Sequence, residues 1–235
     1  MVPVFAQLGG VQIRDFPHAE TIEMVRRLEV DALVVHLNPA QELFQPEGDR
    51  DFRGILEGIA RFCEVSPVPV IVKETGFGIH PSEVTRLLDA GVSYVNLAGA
   101  GGTNWVSVES YRAEGALRGA AEEFADWGTP TAFLLAAVGR RDGRIIASGG
   151  LRSGMDVAKA VVLGAEIAGL ALPFIRAVVS NGVDGVLEVA ERVRKTLETV
   201  MVLTSSRSLE ELRQVHLRKT PGFDEQVRLL EDGAV

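Results

Sequence analysis

Short apolar runs, heavy in β-branched residues, recur six times along this chain, and between them apolar residues fall at helical spacing. The runs are Val2 to Leu8, Ala32 to Leu37, Val68 to Lys73, Tyr94 to Leu97, Ile145 to Ala147 and Ile167 to Leu172. Strands that alternate with helices form βαβ units and a parallel sheet covered on both faces. The helical stretches are Glu20 to Leu28, Phe52 to Glu64, Pro81 to Leu88, a longer one beginning near Val108, and Ser153 to Leu163. A helix of alternating charge follows Gly182 to about Leu203, and another spans roughly Leu209 to Leu217. The C-terminal helices, about 182 to 217, read as part of one domain spanning residues 1–235.

With 46% hydrophobic and 24% charged residues, collagen-like, coiled-coil and disordered readings fall away. No apolar run is long enough for a membrane helix, and the N-terminus lacks the pattern of a signal peptide. A net charge of −8 argues against broad binding to nucleic acid or anionic membrane, while leaving room for a local phosphate pocket. Cys63 is the single cysteine, which excludes an intrachain disulfide and a thiolate zinc cage and suits a reducing cytoplasm. Its place on an apolar helix face makes it a small core residue rather than a nucleophile.

Nearly every strand ends in a glycine-rich or polar loop. Barrels and doubly wound sheets both place their chemistry there. A dinucleotide fold wants its glycine fingerprint after the first strand, whereas here the densest glycine loops come late, as in (β/α) barrels that hold a phosphate after their last strands. The expected fold class is therefore α/β, a TIM (β/α)8-type barrel represented by about six of eight βα units.

Ser148-Gly149-Gly150-Leu151-Arg152-Ser153-Gly154 joins an apolar strand to a helix. Glycines let a backbone approach an anion closely, and a helix N-terminus offers free N–H groups. That makes the segment a phosphate cradle, with Gly169-Leu170-Ala171 supplying neighbouring amides; tight βα turns alone are the competing reading. A second glycine loop, Ala98 to Trp105, offers Thr103 and Asn104 to a polar ligand, and Trp105 either stacks on it or packs. Lys73 ends a strand, where a cation stabilises negative charge on a bound ring or phosphate, or pairs with Glu74 structurally.

The most informative stretch runs from His36 to Phe52. It crowds an imidazole, amides and carboxylates into one strand end and loop. Carboxylates with few neutralising cations nearby are the oxygen ligands that Mg²⁺ prefers. Asp51 also suits the N-cap of the next helix. His18 and His80 sit at helix entries, as capping or surface groups, and His216 on a polar helix.

These motifs in this order resemble the type 2 isopentenyl-diphosphate isomerases. The likeness is carried by His36-Leu37-Asn38-Pro39 running through Gln41-Glu42 into Gln45-Pro46-Glu47-Gly48-Asp49. It continues in Val72-Lys73-Glu74 with Gly76-Phe77-Gly78, Ala98 to Trp105, Phe124-Ala125-Asp126-Trp127-Gly128 and Ala147-Ser148-Gly149-Gly150, and covers residues 3 to about 220. The resemblance implies an FMN-dependent barrel, assembled as a homo-oligomer of four or eight subunits, that interconverts isopentenyl and dimethylallyl diphosphates using Mg²⁺ and reduced FMN, with NADPH as reductant. It places catalytic Gln41 near the reacting carbons, His36 and Asn38 at the diphosphate, and Glu42 on Mg²⁺. Lys73 and Thr103 fall to the flavin ring; Ser148, Gly149, Gly150, Arg152 and Ala171 fall to its phosphate. Reduced flavin supplies the acid and base that no side chain here offers an unactivated alkene.

Two departures accompany the likeness. Gln7 stands where the family has an asparagine that contacts flavin. Family members also extend well beyond this chain at the N-terminus, with an Arg-Lys-x-x-His segment and a Met-Thr-Gly-Gly loop, so the expectation is a shortened member that retains strands three to eight. The rivals are another FMN barrel of the 2-hydroxy-acid oxidase or dihydroorotate-dehydrogenase type, with Arg140 or Arg141 binding a carboxylate, and an inactive fragment that associates through exposed edges.

Overall fold

The sheet is built from strands whose two faces bury against different partners. In β2 (Ala32–His36), Leu33 and Val35 face the helices and Ala32 and Val34 face inward, all four buried. In the computed structural model, which describes residues 2–233, β2 lies between β1 (Phe5–Gly9) and β3 (Val70–Lys73), followed by β4 (Tyr94–Asn96), β5 (Ile145–Ala147) and β6 (Ile167–Ala168). All five pairings are parallel and follow chain order, as βαβ units require.

The helices are α1 (Gly10–Asp15), α2 (His18–Leu28), α3 (Pro39–Phe44), α4 (Ile55–Cys63), α5 (Pro81–Asp89), α6 (Trp105–Ser110), α7 (Gly115–Glu122), α8 (Thr131–Val138), α9 (Gly154–Val162), α10 (Leu172–Leu203), α11 (Leu209–Leu212) and α12 (Phe223–Glu231), of which α3, α6 and α7 form a separate cluster with Phe77. Ile13, Val25, Ile59, Phe62, Val84 and Leu134 from these helices form the main core with the outward strand residues. The inner face holds a smaller cluster of Ala32, Val34, Ile71 and Ile146, with Tyr94 against it. β1 and β6 do not pair, so the sheet stays open. Inward residues at both edges are consequently uncovered: Phe5 and Ile167 are half exposed, and Gln7 is exposed.

Several local expectations are corrected. Pro39–Phe44 is a helix, not a loop, begun by a proline that needs no N–H partner in the first turn. The long helix expected near Val108 is split into α6 and α7, because Gly115 turns the chain at φ 56°, and α8 follows. Asp51 does not cap α4; Gly54 occupies that position at φ 74°, and Asp51 instead accepts from the backbone and guanidinium of Arg53. α10 starts before Gly182 and breaks there, at φ 54° and ψ −140°, a conformation closed to other residues. α11 ends at Leu212 rather than Leu217, and α12 follows. His80 does cap α5, its ring accepting from the Ser82 N–H. Ser153 and Asp156 form a reciprocal capping box on α9. Among the described residues, no helix is long and apolar enough to cross a membrane.

Candidate functional site

Parallel register brings the chemistry-bearing strand ends into one row. Gly9 pairs with His36, His36 with Lys73, and Lys73 with Asn96. Neighbouring strands are about 4.8 Å apart, so His36 and Lys73 stand side by side at the carboxyl end of the sheet. Burial pushes the His36 imidazole below its usual range, and the neighbouring Lys73 pushes it further, so the ring is neutral near pH 7. Burial also lowers Lys73, with Glu74 acting the other way. The pairing of Lys73 with Glu74 that competed with a binding role is not formed: Glu74, itself buried, accepts from the N–H groups of Gly76, Phe77 and Gly78 at 2.5, 2.5 and 3.0 Å. Among the described residues Lys73 makes no ion pair.

Two cavities open from this row. One, of about 340 Å³, is lined by Lys73, Thr103 and Trp105, by Ser148, Gly149, Gly150 and Arg152, and by Gly169 to Leu172. The N–H groups of Gly149, Gly150, Leu151, Leu170 and Ala171 donate to no acceptor among the described residues, which leaves five backbone donors around one cavity. Such a set fits a phosphoryl group, whose oxygens accept several N–H bonds at once. The glycines themselves have a second cause. Gly149 and Gly150 adopt φ 93° and 82°, and a Cβ on Gly150 would stand 2.8 Å from the Gly101 carbonyl carbon. The two glycine loops pack backbone against backbone, so tight turning and phosphate access are served by the same residues. Thr131 on α8 donates to the carbonyls of Ser148 and Gly149 and holds the turn from below.

The other cavity, of about 410 Å³, is lined by His36, Asn38, Glu42 and Asp49, and then by apolar residues of α4 and α5. Glu74 borders both. Asn38 donates to one Glu42 oxygen at 2.9 Å, and the Asp49 N–H donates to the other at 3.0 Å. Each oxygen keeps a lone pair. That arrangement fits a hydrated Mg²⁺ held by one carboxylate and by phosphate oxygens of a bound substrate, and not a closed protein cage. Among the described residues no three metal-binding side chains cluster.

The expectation of few cations near these carboxylates is half right. Arg53 neutralises Asp51 and Arg112 neutralises Glu47, while Glu42 and Asp49 have no cationic partner among the described residues. Arg50 folds the loop inward, its guanidinium donating to the carbonyls of Glu42, Gln45, Gly48 and Asp49. Gln41 lines neither cavity. It projects from α3 to the buried Glu109 of α6, which also receives Gln45. Asn104 caps α6 and donates to the carbonyls of Phe124 and Ala125, so it is not free for a ligand.

Gln7 lies on the exposed inner face of β1 and lines neither cavity. Arg140 and Arg141 precede β5 and therefore sit at the amino end of the sheet, where Arg140 pairs with Glu210. They are on the wrong side to bind a substrate carboxylate at this site. Glu109 and the guanidinium of Arg50 escaped sequence reasoning, and Glu74 was read only as a structural partner of Lys73. Only Glu74 had a local signal, a carboxylate just before a Gly-x-Gly turn.

Residues 51–219 match the sequence profile of the FMN-dependent dehydrogenases. The chain is 47% identical over 214 residues to the isopentenyl-diphosphate delta-isomerase of Borrelia garinii subsp. bavariensis, covering 91% of this chain and 60% of that protein. It is 44% identical to the enzyme of that name from Nostoc sp., covering 90% and 61%, and 42% identical to that of Thermococcus onnurineus, covering 84% and 54%. The chain thus spans about three fifths of the length of these curated relatives. Among solved structures, a putative lactate oxidase of Pediococcus acidilactici superposes with a TM-score of 0.66 at 23% identity, covering 93% of this chain and 61% of that one. A mandelate oxidase variant carrying an FMN adduct follows at 0.65 and 22%, covering 93% and 64%. The fold is that of a (β/α) barrel of this class, left open at six strands.

Proposed function

Because the chain belongs to the family of FMN-dependent dehydrogenases, we propose that it provides the flavin- and substrate-facing part of an isomerase converting isopentenyl diphosphate to dimethylallyl diphosphate. The observation that carries the reading is the adjacency of the two cavities across the His36–Lys73 pair. A phosphate-fitting amide ring and an unpaired cation lie on one side of that pair, and an amide–carboxylate set suited to a metal-held diphosphate lies on the other. The relatives named above supply the reaction.

FMN, when bound in its reduced form, supplies the proton donor and acceptor that an unactivated double bond needs. The chain's own residues do the rest. The amides of Gly149, Gly150 and Ala171, with Ser148 and Arg152, hold the phosphoryl tail. Lys73 and Thr103 line the same cavity and would hold the ring, where a cation would favour an electron-rich, anionic state. Glu42 holds Mg²⁺, and neutral His36 with Asn38 binds the diphosphate. Gln41, which lines neither cavity, acts here as a positioning residue: Glu109 holds its amide and turns its oxygen toward Asn38. Positioning of this kind converts a two-body encounter into a near-unimolecular step. NADPH as reductant, a cytoplasmic location and a homo-oligomer of four or eight copies belong to the same proposal. The oligomer is supported by exposed Ile175, Val179, Val183 and Leu187 on α10.

The test is a purified chain incubated with isopentenyl diphosphate, Mg²⁺, FMN and a reductant. The expected result is a flavin-binding protein, yellow before the reductant is added and bleached by it, that forms dimethylallyl diphosphate without consuming reductant in proportion to product. Flavin binding with stoichiometric consumption of an electron acceptor and a 2-hydroxy acid would overturn it.

A further inference from the structure

The segment from Gln45 to Gly54, between α3 and α4, is neither helix nor strand, and one side chain ties much of it down. Arg50 donates through Nη1 to the carbonyls of Glu42, Gly48 and Asp49, the last two at 2.9 and 3.1 Å, and through Nη2 to that of Gln45 at 2.6 Å. Glu42 and Gln45 lie at the carboxyl end of α3, where unpaired carbonyls collect and a cation is favourable. Gly48 permits this fold-back, since a Cβ there would overlap the Glu42 carbonyl. The Gly48 contact reaches further than the others. Its C=O and the Asp49 N–H belong to one planar trans peptide, so they point in opposite directions. The carbonyl goes to Arg50, and the N–H goes to Glu42 Oε2 at 3.0 Å. Holding one side of that plane aims the other. Asn38 meets the second Glu42 oxygen at 2.9 Å, so the carboxylate is gripped at both ends.

From this geometry we infer that Arg50 is a positioning residue, which orients the Glu42 carboxylate through the Gly48–Asp49 peptide without touching it. Its donors are committed to carbonyls, and among the described residues it forms no ion pair, so the lone pairs of Glu42 stay open to a hard cation. Lysine is a poor substitute, because a single ammonium lacks the planar fork that spans carbonyls on both sides of the loop. That Glu42 serves Mg²⁺ rests on the isomerase reading above; that Arg50 orients it does not.

The orientation is measured first in the full chain without FMN, Mg²⁺ or substrate, from the Asp49 amide proton by NMR. A bond to a carboxylate is charge-assisted and holds that proton at low field. Arg50→Lys and Arg50→Ala are expected to move it upfield, toward its position in Glu42→Gln, and to speed its exchange with solvent, while a denaturant melt reports that each variant is folded. An Asp49 signal unchanged in both Arg50 variants would overturn the inference. The Mg²⁺ concentration for half-maximal isomerisation is measured second. Arg50→Ala raises it about fivefold, the worth of one hydrogen bond, and adds nothing to Glu42→Gln. A full further loss on top of Glu42→Gln means that Arg50 acts elsewhere and also overturns the inference. An unchanged Mg²⁺ midpoint in Glu42→Gln alone removes the metal reading and leaves the amide proton to decide this one.

Discussion

The side-chain amide of Gln41 donates to the carboxylate of Glu109 at 3.0 Å, across 68 positions of sequence, and Glu109 is almost fully buried. A carboxylate only accepts, so it fixes which end of the amide faces it and turns the Gln41 oxygen toward Asn38, 3.4 Å away. Gln45 donates to the same Glu109 oxygen at 2.7 Å, and Arg112 donates to the other at 3.1 Å. One buried acid thereby ties α6 to α3 and to the residue that follows it.

Replacing that acid by its amide removes the orientation without emptying the space. Glu109→Gln is expected to lower kcat for isomerisation about tenfold, with FMN affinity unchanged, whereas Gln41→Ala abolishes turnover and also leaves FMN bound. Flavin titration beside steady-state assay checks both, and parallel loss of flavin would contradict a substrate-side role for Gln41.

Glu42 is held by Asn38 and the Asp49 N–H, and glutamine can keep only part of that pattern. Glu42→Gln is expected to raise the Mg²⁺ concentration needed for half-maximal activity by about tenfold or more, because a neutral amide is a poor ligand for a hard cation. A metal titration at fixed FMN reads this directly, and an unchanged midpoint would remove Glu42 from the metal.

Lys73 stands unpaired in a cavity wall, which is where its charge acts most strongly. Lys73→Met is expected to shift the potential of bound FMN to more negative values while leaving FMN binding within about threefold, since the phosphate is held elsewhere. Spectroelectrochemical titration separates the two effects.

Burial, and then Lys73, lowers the His36 pKa from its ordinary 6.5. As pH falls below 6.5 the unfolded chain takes up a proton that the folded chain refuses, so folding stability declines from there down through the lowered value. His36→Gln is expected to flatten that part of a denaturant-midpoint profile measured between pH 7 and pH 5, leaving the neutral value little changed.

The Cys63 thiol is pushed up to about 11 by burial alone. Thiolate is therefore scarce at pH 8, and iodoacetamide is expected to modify the native chain at least about tenfold more slowly than the urea-unfolded chain. Mass spectrometry over a time course measures both rates.

Periodicity made the strands, most helices and the carboxyl-end location of the chemistry readable from residues alone, because side-chain alternation and loop glycines are local properties. Lys73, the Gly149 turn and the polar stretch from His36 to Phe52 stood out in that way, whereas the separate roles of His36, Asn38 and Glu42 came from the family resemblance. Their grouping was not readable. Which of them share a cavity depends on the parallel register that sets His36 beside Lys73, and no short window encodes a register.

Glu109 illustrates the limit from the other direction. In the sequence it is one acid in a short amphipathic stretch, and its partners lie far away in the chain. Glu74 likewise looks like a counter-ion for Lys73 until the turn of Gly76 to Gly78 folds its amides onto the carboxylate. Arg140 and Arg141 were candidates by residue type and were removed by position, at the amino end of β5. Local pattern determined the class of fold and the residue types at the strand ends. Only tertiary structure decided which strand ends meet, which acids are already satisfied and that the sheet remains open between β1 and β6, because those outcomes depend on contacts between residues distant in the chain.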